Sequence, residues 1–182
     1  TASELVSKLS LFTSALQPVL FPALATTLVC DPPRAARLFD RGVRATTVVV
    51  IPVTLCVVAF AHEGLRLWLG PEFAREGAQV LQWLAIATFV NACAALPYNA
   101  LQGAARADLP AKLHLVEVPL YLATLYLFAT RWGLLGVALA WTLRMLVDAL
   151  ALLVLARPVL PDAGPALWRA ARVCVGTVVG LG

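Results

Sequence analysis

From Gly77 to Ala105 the chain carries no charged side chain. About 20 mainly apolar residues are enough to cross a bilayer as a helix. Comparable runs recur, and they predict spans at 3–29, 45–61, 77–103, 109–130 and 133–157. A sixth, truncated span begins near residue 167. The composition agrees, being 61% hydrophobic and only 13% charged, with a mean hydropathy of +0.86. A soluble domain is about one quarter charged, and a small soluble fold cannot hide so much apolar surface. The expected fold class is therefore all-α, a polytopic transmembrane helix bundle forming a single domain over residues 1–182. The sequence starts inside one helical pattern and stops inside another, with no signal-peptide architecture. It reads as a piece of a larger membrane protein.

The loops are short, so neighbouring helices should run antiparallel. Alternate loops then fall on two sides. One side collects Arg34, Arg37, Arg41, Arg44, Arg106, Lys112, Arg157, Arg169 and Arg172, while the other collects Arg66, Arg75 and Arg131. Cytoplasmic loops are the ones enriched in Lys and Arg, so the richer side is expected to be cytoplasmic. In "DPPRAARLFDRGVR", Asp31 is placed to cap a helix starting at Pro32 or Pro33. Leu38 and Phe39 are expected to face lipid there, as in an interfacial helix. Trp68 and Phe73 suit an aromatic belt at the opposite surface.

Polar residues interrupt the spans at helical spacing. His114, Glu117, Tyr121 and Thr124 share one face, and Trp141, Arg144 and Asp148 share another. Thr88, Asn91, Tyr98 or Asn99, and Gln102 lie near one face of the third span. Ser3, Ser7, Ser10, Ser14 and Gln17 line the first, with Glu4 and Lys8 beside them. Four such stripes imply a shared polar interior, either a tight polar bundle or a hydrated cavity. An Arg or Asp at the centre of a spanning helix costs roughly 2.5–3.5 kcal/mol. At i and i+4, Arg144 and Asp148 are placed to pair and lower that cost. One reading makes them a structural pair and lets Glu4 and Lys8 snorkel to the surface. The other makes them part of a substrate or ion path.

Other chemistries lack their residues. Cys30, Cys56, Cys93 and Cys174 are isolated, so they read as small apolar side chains rather than a zinc or redox pair. His114 and Glu117 have metal-ligand spacing, but the sequence offers no third ligand, and no metal is expected. "HEGLR" begins like a zinc-protease HExxH, yet Arg66 stands where the second His belongs. No nucleotide-binding or nucleophile-elbow motif is present. No catalytic constellation, cofactor or nucleic-acid partner is expected. A membrane enzyme would need a sizeable loop with an acid or base dyad outside the bilayer, and the loops are short.

Several segments resemble bacterial polysaccharide flippases, the O-antigen and exopolysaccharide exporters of the MOP superfamily. "LFPALATTLVCDPPRAARLFDRGVR" is similar to a helix end and basic cytoplasmic segment of that family. "LRLWLGPEFAREGAQVLQWLA" resembles its Leu-Gly turn before a rising helix. "LPYNALQGAARADLPAK" resembles its next cytoplasmic turn, where a Gly is expected at the position of Ala105. "RWGLLGVALAWTLR" resembles the start of the following helix. The resemblance covers about residues 1–157. It implies the second of two six-helix bundles, without its first helix and with an extra C-terminal span. It also implies a multi-pass protein of the bacterial cytoplasmic membrane that moves an undecaprenyl-pyrophosphate-linked oligosaccharide by alternating access.

On that reading Arg144 and then Lys8 meet the pyrophosphate, because Arg binds phosphate oxygens bidentately. Asn91, Asn99 and Gln102 meet sugar hydroxyls. Glu117, Asp148 and Glu4 are placed for a coupling ion, H⁺ or Na⁺. Other polysaccharide assembly proteins are candidate partners. The rivals are a lipid II flippase or a multidrug and toxin extruder of the same superfamily, and a non-transporting membrane scaffold of a polysaccharide assembly complex.

Overall fold

The computed structural model describes residues 27, 28 and 30–181. Glu4, Lys8 and nearly all of the expected first span lie outside the described residues. Every regular element described is helical: α1 (Pro32–Leu69), α2 (Pro71–Gly103), α3 (Asp108–Leu155), a 3₁₀ turn (Pro161–Ala163) and α4 (Gly164–Leu181). Three of these helices contain segments long and apolar enough to cross a membrane, namely Pro32–Leu69, Gly77–Gly103 and Asp108–Leu155.

The start of α1 follows from its sequence. The Asp31 carboxylate accepts the Arg34 amide at 3.0 Å. Pro32 and Pro33 occupy the first turn, where a missing N–H costs no helical bond. The helix then runs unbroken through Pro52 to Leu69. Buried hydroxyls on this helix satisfy themselves locally: Thr54 donates to the Val50 carbonyl at 2.9 Å. The segment 31–44 is therefore the first part of a long helix. Phe39, expected at lipid, is instead fully buried. It packs with Val43 of α1, Phe89 and Cys93 of α2, Leu152 of α3 and Leu167 of α4 in one continuous core.

A single residue, Gly70, joins α1 to α2, and the two helices run antiparallel. Gly42 meets Leu96, and Gly77 meets Leu65. Gln82 donates to the Val58 carbonyl at 3.0 Å between these two points. Between helices in lipid the association comes from close packing, because lipid tails are as apolar as leucine. Alanines at the contacts serve this. Ala87, Ala94 and Ala100 of α2 and Ala138, Ala140 and Ala149 of α3 are all buried. Large apolar side chains such as Val48, Phe60, Leu115, Leu120 and Val179 stay on the outside.

The end of α2 is a Schellman turn. The Arg106 amide reaches the Leu101 carbonyl at 2.9 Å, and the Ala105 amide reaches the Gln102 carbonyl at 3.0 Å. This motif needs a left-handed residue, usually Gly. Ala105 fills it with φ 57°.

Candidate functional site: a polar cluster in the α3 hairpin

Within α3 one residue departs from helical geometry, Gly133, with φ 58° and ψ −132°. Only Gly adopts such a backbone without strain. The chain reverses there. Phe128 comes against Gly136, the Tyr121 and Trp141 rings stand edge to face at 5.9 Å, and His114 reaches Asp148. These contacts fix an antiparallel register between the limbs 108–132 and 134–155. A Cβ on Gly136 would overlap the Phe128 carbonyl, so the close approach requires glycine. Thr142 brings the second limb against α2, its hydroxyl shared between the Ala138 carbonyl of its own helix at 2.8 Å and the Trp83 carbonyl of α2 at 3.1 Å.

The register assembles a cluster that no single stripe contains. His114 Nδ1 lies 3.4 Å from Glu117 Oε2 and 3.7 Å from Asp148 Oδ1. One ligand atom from each residue falls within 4.8 Å of the others. Glu117 and Asp148 are buried, whereas His114 is half-exposed. Glu117 Oε1 and Asp148 Oδ1 have no hydrogen-bond partner. Two carboxylate charges about 5 Å apart repel by about 3 kcal/mol at an effective dielectric of 20. One proton or small cation between them removes that repulsion. Asp148, delivered by the turn at Gly133, is the third residue that could join His114 and Glu117 around an ion.

Arg144 makes no direct contact with the carboxylates of this triad. The expected Arg144–Asp148 ion pair does not form: no carboxylate lies within salt-bridge distance of Arg144 among the described residues. Asp148 instead faces His114 across the hairpin. The Arg144 guanidinium lies over the Tyr121 ring at 5.1 Å and over Trp141 at 5.3 Å. Its Nε is buried without a hydrogen-bond partner. Aromatic faces offset part of the cost of holding a cation there and leave its donors unspent.

The amides disperse more. Asn99 is buried in α2, Gln102 is half-buried one turn on, and Asn91 is exposed. Tyr98, on the same helix, sets its ring 6.4 Å from that of His114 and links α2 to the cluster. His114, Tyr121 and Trp141 were visible as members of stripes but not as site residues. The signal for them is the i, i+3 spacing of His114 to Glu117 and of Trp141 to Arg144. Cys93 and Cys174 are buried as expected for small apolar side chains, whereas Cys30 and Cys56 are exposed.

A hairpin with a buried carboxylate pair and an unpaired arginine suits a transporter, and comparison with known proteins agrees. Residues 5–179 match the profile of the lipid II flippase MurJ family. The chain belongs to that family. This bears out the resemblance to MOP-superfamily flippases. It is also 29% identical, over 150 residues, to a protein of Shigella flexneri described as "Putative O-antigen transporter". The match covers 82% of this chain and 35% of that relative, so the chain spans about a third of the relative's length. No solved structure matches. Family membership and the three span-length helices make this a multi-pass membrane protein, and both comparisons are to proteins of transport rather than enzymes.

Proposed function

We infer that this chain forms part of a flippase that carries an undecaprenyl-pyrophosphate-linked oligosaccharide from the cytoplasmic to the outer leaflet of the bacterial inner membrane. The observation that carries this reading is Arg144, an arginine inside a span whose guanidinium rests on two aromatic rings and, among the described residues, forms no ion pair with a carboxylate. A pyrophosphate offers the oxygens such a group binds in pairs. Half-buried Gln102 and exposed Asn91 add donors and acceptors for sugar hydroxyls on α2. Movement is by alternating access, with this bundle rocking against a second one and the lipid tail remaining in the bilayer.

Transport is coupled to H⁺ or Na⁺ at His114, Glu117 and Asp148. Binding of the ion relieves the repulsion between the carboxylates, and its release restores that repulsion. The two states of the cluster therefore favour different packings of the α3 limbs. Other polysaccharide assembly proteins receive the product on the far side.

The family match favours a second substrate reading, lipid II, whose pyrophosphate would meet Arg144 in the same way. The test is rescue by the full-length protein in two strains, one lacking its O-antigen flippase and one depleted of its lipid II flippase. Restored surface polysaccharide in the first alone supports the main reading. Restored growth in the second alone moves the substrate to lipid II. Rescue of neither, across substrate-matched strains, removes the flippase reading.

A further inference from the structure

A second charged feature lies away from the α3 hairpin, at the arginine-rich end of the bundle. A cavity of about 590 Å³ opens there between α1 and the start of α4. Its charged lining is Arg37, Arg41, Arg44 and Arg169 against Asp40 and Asp162. Arg37, Arg41 and Arg44 follow at i, i+4 and i+7 and so share one face of α1. Asp40 is already engaged twice, by Arg44 Nε at 2.9 Å and by the Arg169 guanidinium. Arg37 and Arg41 face the cavity with no carboxylate partner among the described residues. The cavity therefore keeps a positive surplus that the protein does not neutralise.

The same seam turns apolar deeper in the bundle. About 10 Å farther along α1, a groove of about 370 Å³ opens beside Ile51 and Leu55. Val173 and Gly176 of α4 form its other wall. The polar atoms in this groove need nothing from an occupant. Thr54 and Thr177 each donate to a carbonyl of their own helix, at 2.9 Å and 2.8 Å. A cationic cup and, farther along the same helix pair, an apolar groove together match the polarity profile of a single phospholipid.

We propose that the α1–α4 seam binds an anionic phospholipid, with its phosphate headgroup among Arg37, Arg41 and Arg169 and an acyl chain in the groove beside Leu55 and Gly176. Basic pockets between spanning helices bind anionic headgroups by charge. The groove is what favours a lipid over free phosphate, because phosphate alone has no use for it. The occupant ties α4 to α1 at the end where Asp40 and Arg169 already meet. This site is independent of the transport reading.

The experiment uses the purified, delipidated full-length protein in detergent. Binding of phosphatidylglycerol, phosphatidylcholine and inorganic phosphate is measured by native mass spectrometry and by the shift in thermal melting. Phosphatidylglycerol is expected to bind and raise the Tm, while the other two have little effect. Arg37→Gln with Arg41→Gln should weaken phosphatidylglycerol binding roughly 10- to 30-fold. Neither arginine has a carboxylate partner to lose, so the apo protein should melt as wild type. Gly176→Leu narrows the groove and should weaken binding too, whereas Arg131→Gln, at the opposite end, should not. Equal binding of phosphatidylcholine, undiminished binding by the double variant, or equal stabilisation by inorganic phosphate would each overturn the proposal. Undiminished binding by Gly176→Leu would remove the acyl-chain part of it.

Discussion

The Arg144 guanidinium carbon sits 5.1 Å from the centre of the Tyr121 ring, on the facing limb of the same hairpin. The charge rests on an aromatic face and makes no direct ion pair with the aspartate one turn away. The arrangement keeps the guanidinium donors available. On the proposed reading it also makes Tyr121 a positioning residue.

Tyr121→Leu should therefore leave the protein folded and weaken its grip on Arg144. A cation–π contact at a half-exposed position is worth about 1 kcal/mol. Apparent KM for lipid-linked oligosaccharide in reconstituted vesicles should rise about fivefold, with kcat changed less. Tyr121→Phe keeps the ring and should behave as wild type. A wild-type KM for Tyr121→Leu would show that the ring does not position Arg144.

The carboxylate pair makes a different prediction. Glu117→Gln and Asp148→Asn each remove one of two buried charges that face each other across the hairpin. Either change lowers repulsion, so membrane abundance and melting temperature should hold or rise. Flux should fall at least about tenfold, as expected for intramembrane acids on an ion path. The dependence of flux on an imposed H⁺ or Na⁺ gradient should vanish with it. Wild-type gradient dependence in both variants would place coupling elsewhere.

Gly136 is a packing prediction. The Phe128 carbonyl occupies the space a Cβ would need. Gly136→Ala must push the limbs apart, and overpacking of this kind costs about 1–3 kcal/mol. The melting temperature in detergent should drop, and so should transport, because His114 and Asp148 lose their register. An unchanged melting temperature would mean that the limbs are not packed this closely.

Ala105 predicts the opposite sign. A left-handed φ costs a non-glycine residue about 1–2 kcal/mol, and the Schellman turn holds it there with two hydrogen bonds. Ala105→Gly should stabilise the protein by about 1 kcal/mol, after the entropy glycine loses on folding. Thermal melting of the two forms is the check.

The sequence was informative where a residue acts on its own neighbours. Asp31 caps α1 because its side chain sees only the next turn. Ala105 stood out because the resemblance led to a Gly at that turn, and the backbone is indeed left-handed there. Phe39 was misread for a reason specific to membranes: apolar periodicity marks a face that avoids water, and both lipid and protein core satisfy it. Arg144 and Asp148 were placed to pair and do not, because i, i+4 spacing allows a pair without requiring one. What decided the matter was the register across Gly133, which brings His114 to Asp148 and Tyr121 to Arg144. No local pattern encodes that register, so the third member of the His114–Glu117 group was not legible either.

On the proposed reading, Arg144 is kept free of an ion pair in order to meet the substrate's pyrophosphate. The most direct measurement compares surface polysaccharide in a flippase-deficient strain carrying full-length wild type, Arg144→Lys or Arg144→Ala at matched membrane abundance. Wild type should rescue fully, Arg144→Lys, which keeps the charge but loses the bidentate fork, should rescue in part, and Arg144→Ala should fail to rescue. Equal rescue by all three would contradict that reading and reduce Arg144 to a packing residue on two aromatic rings.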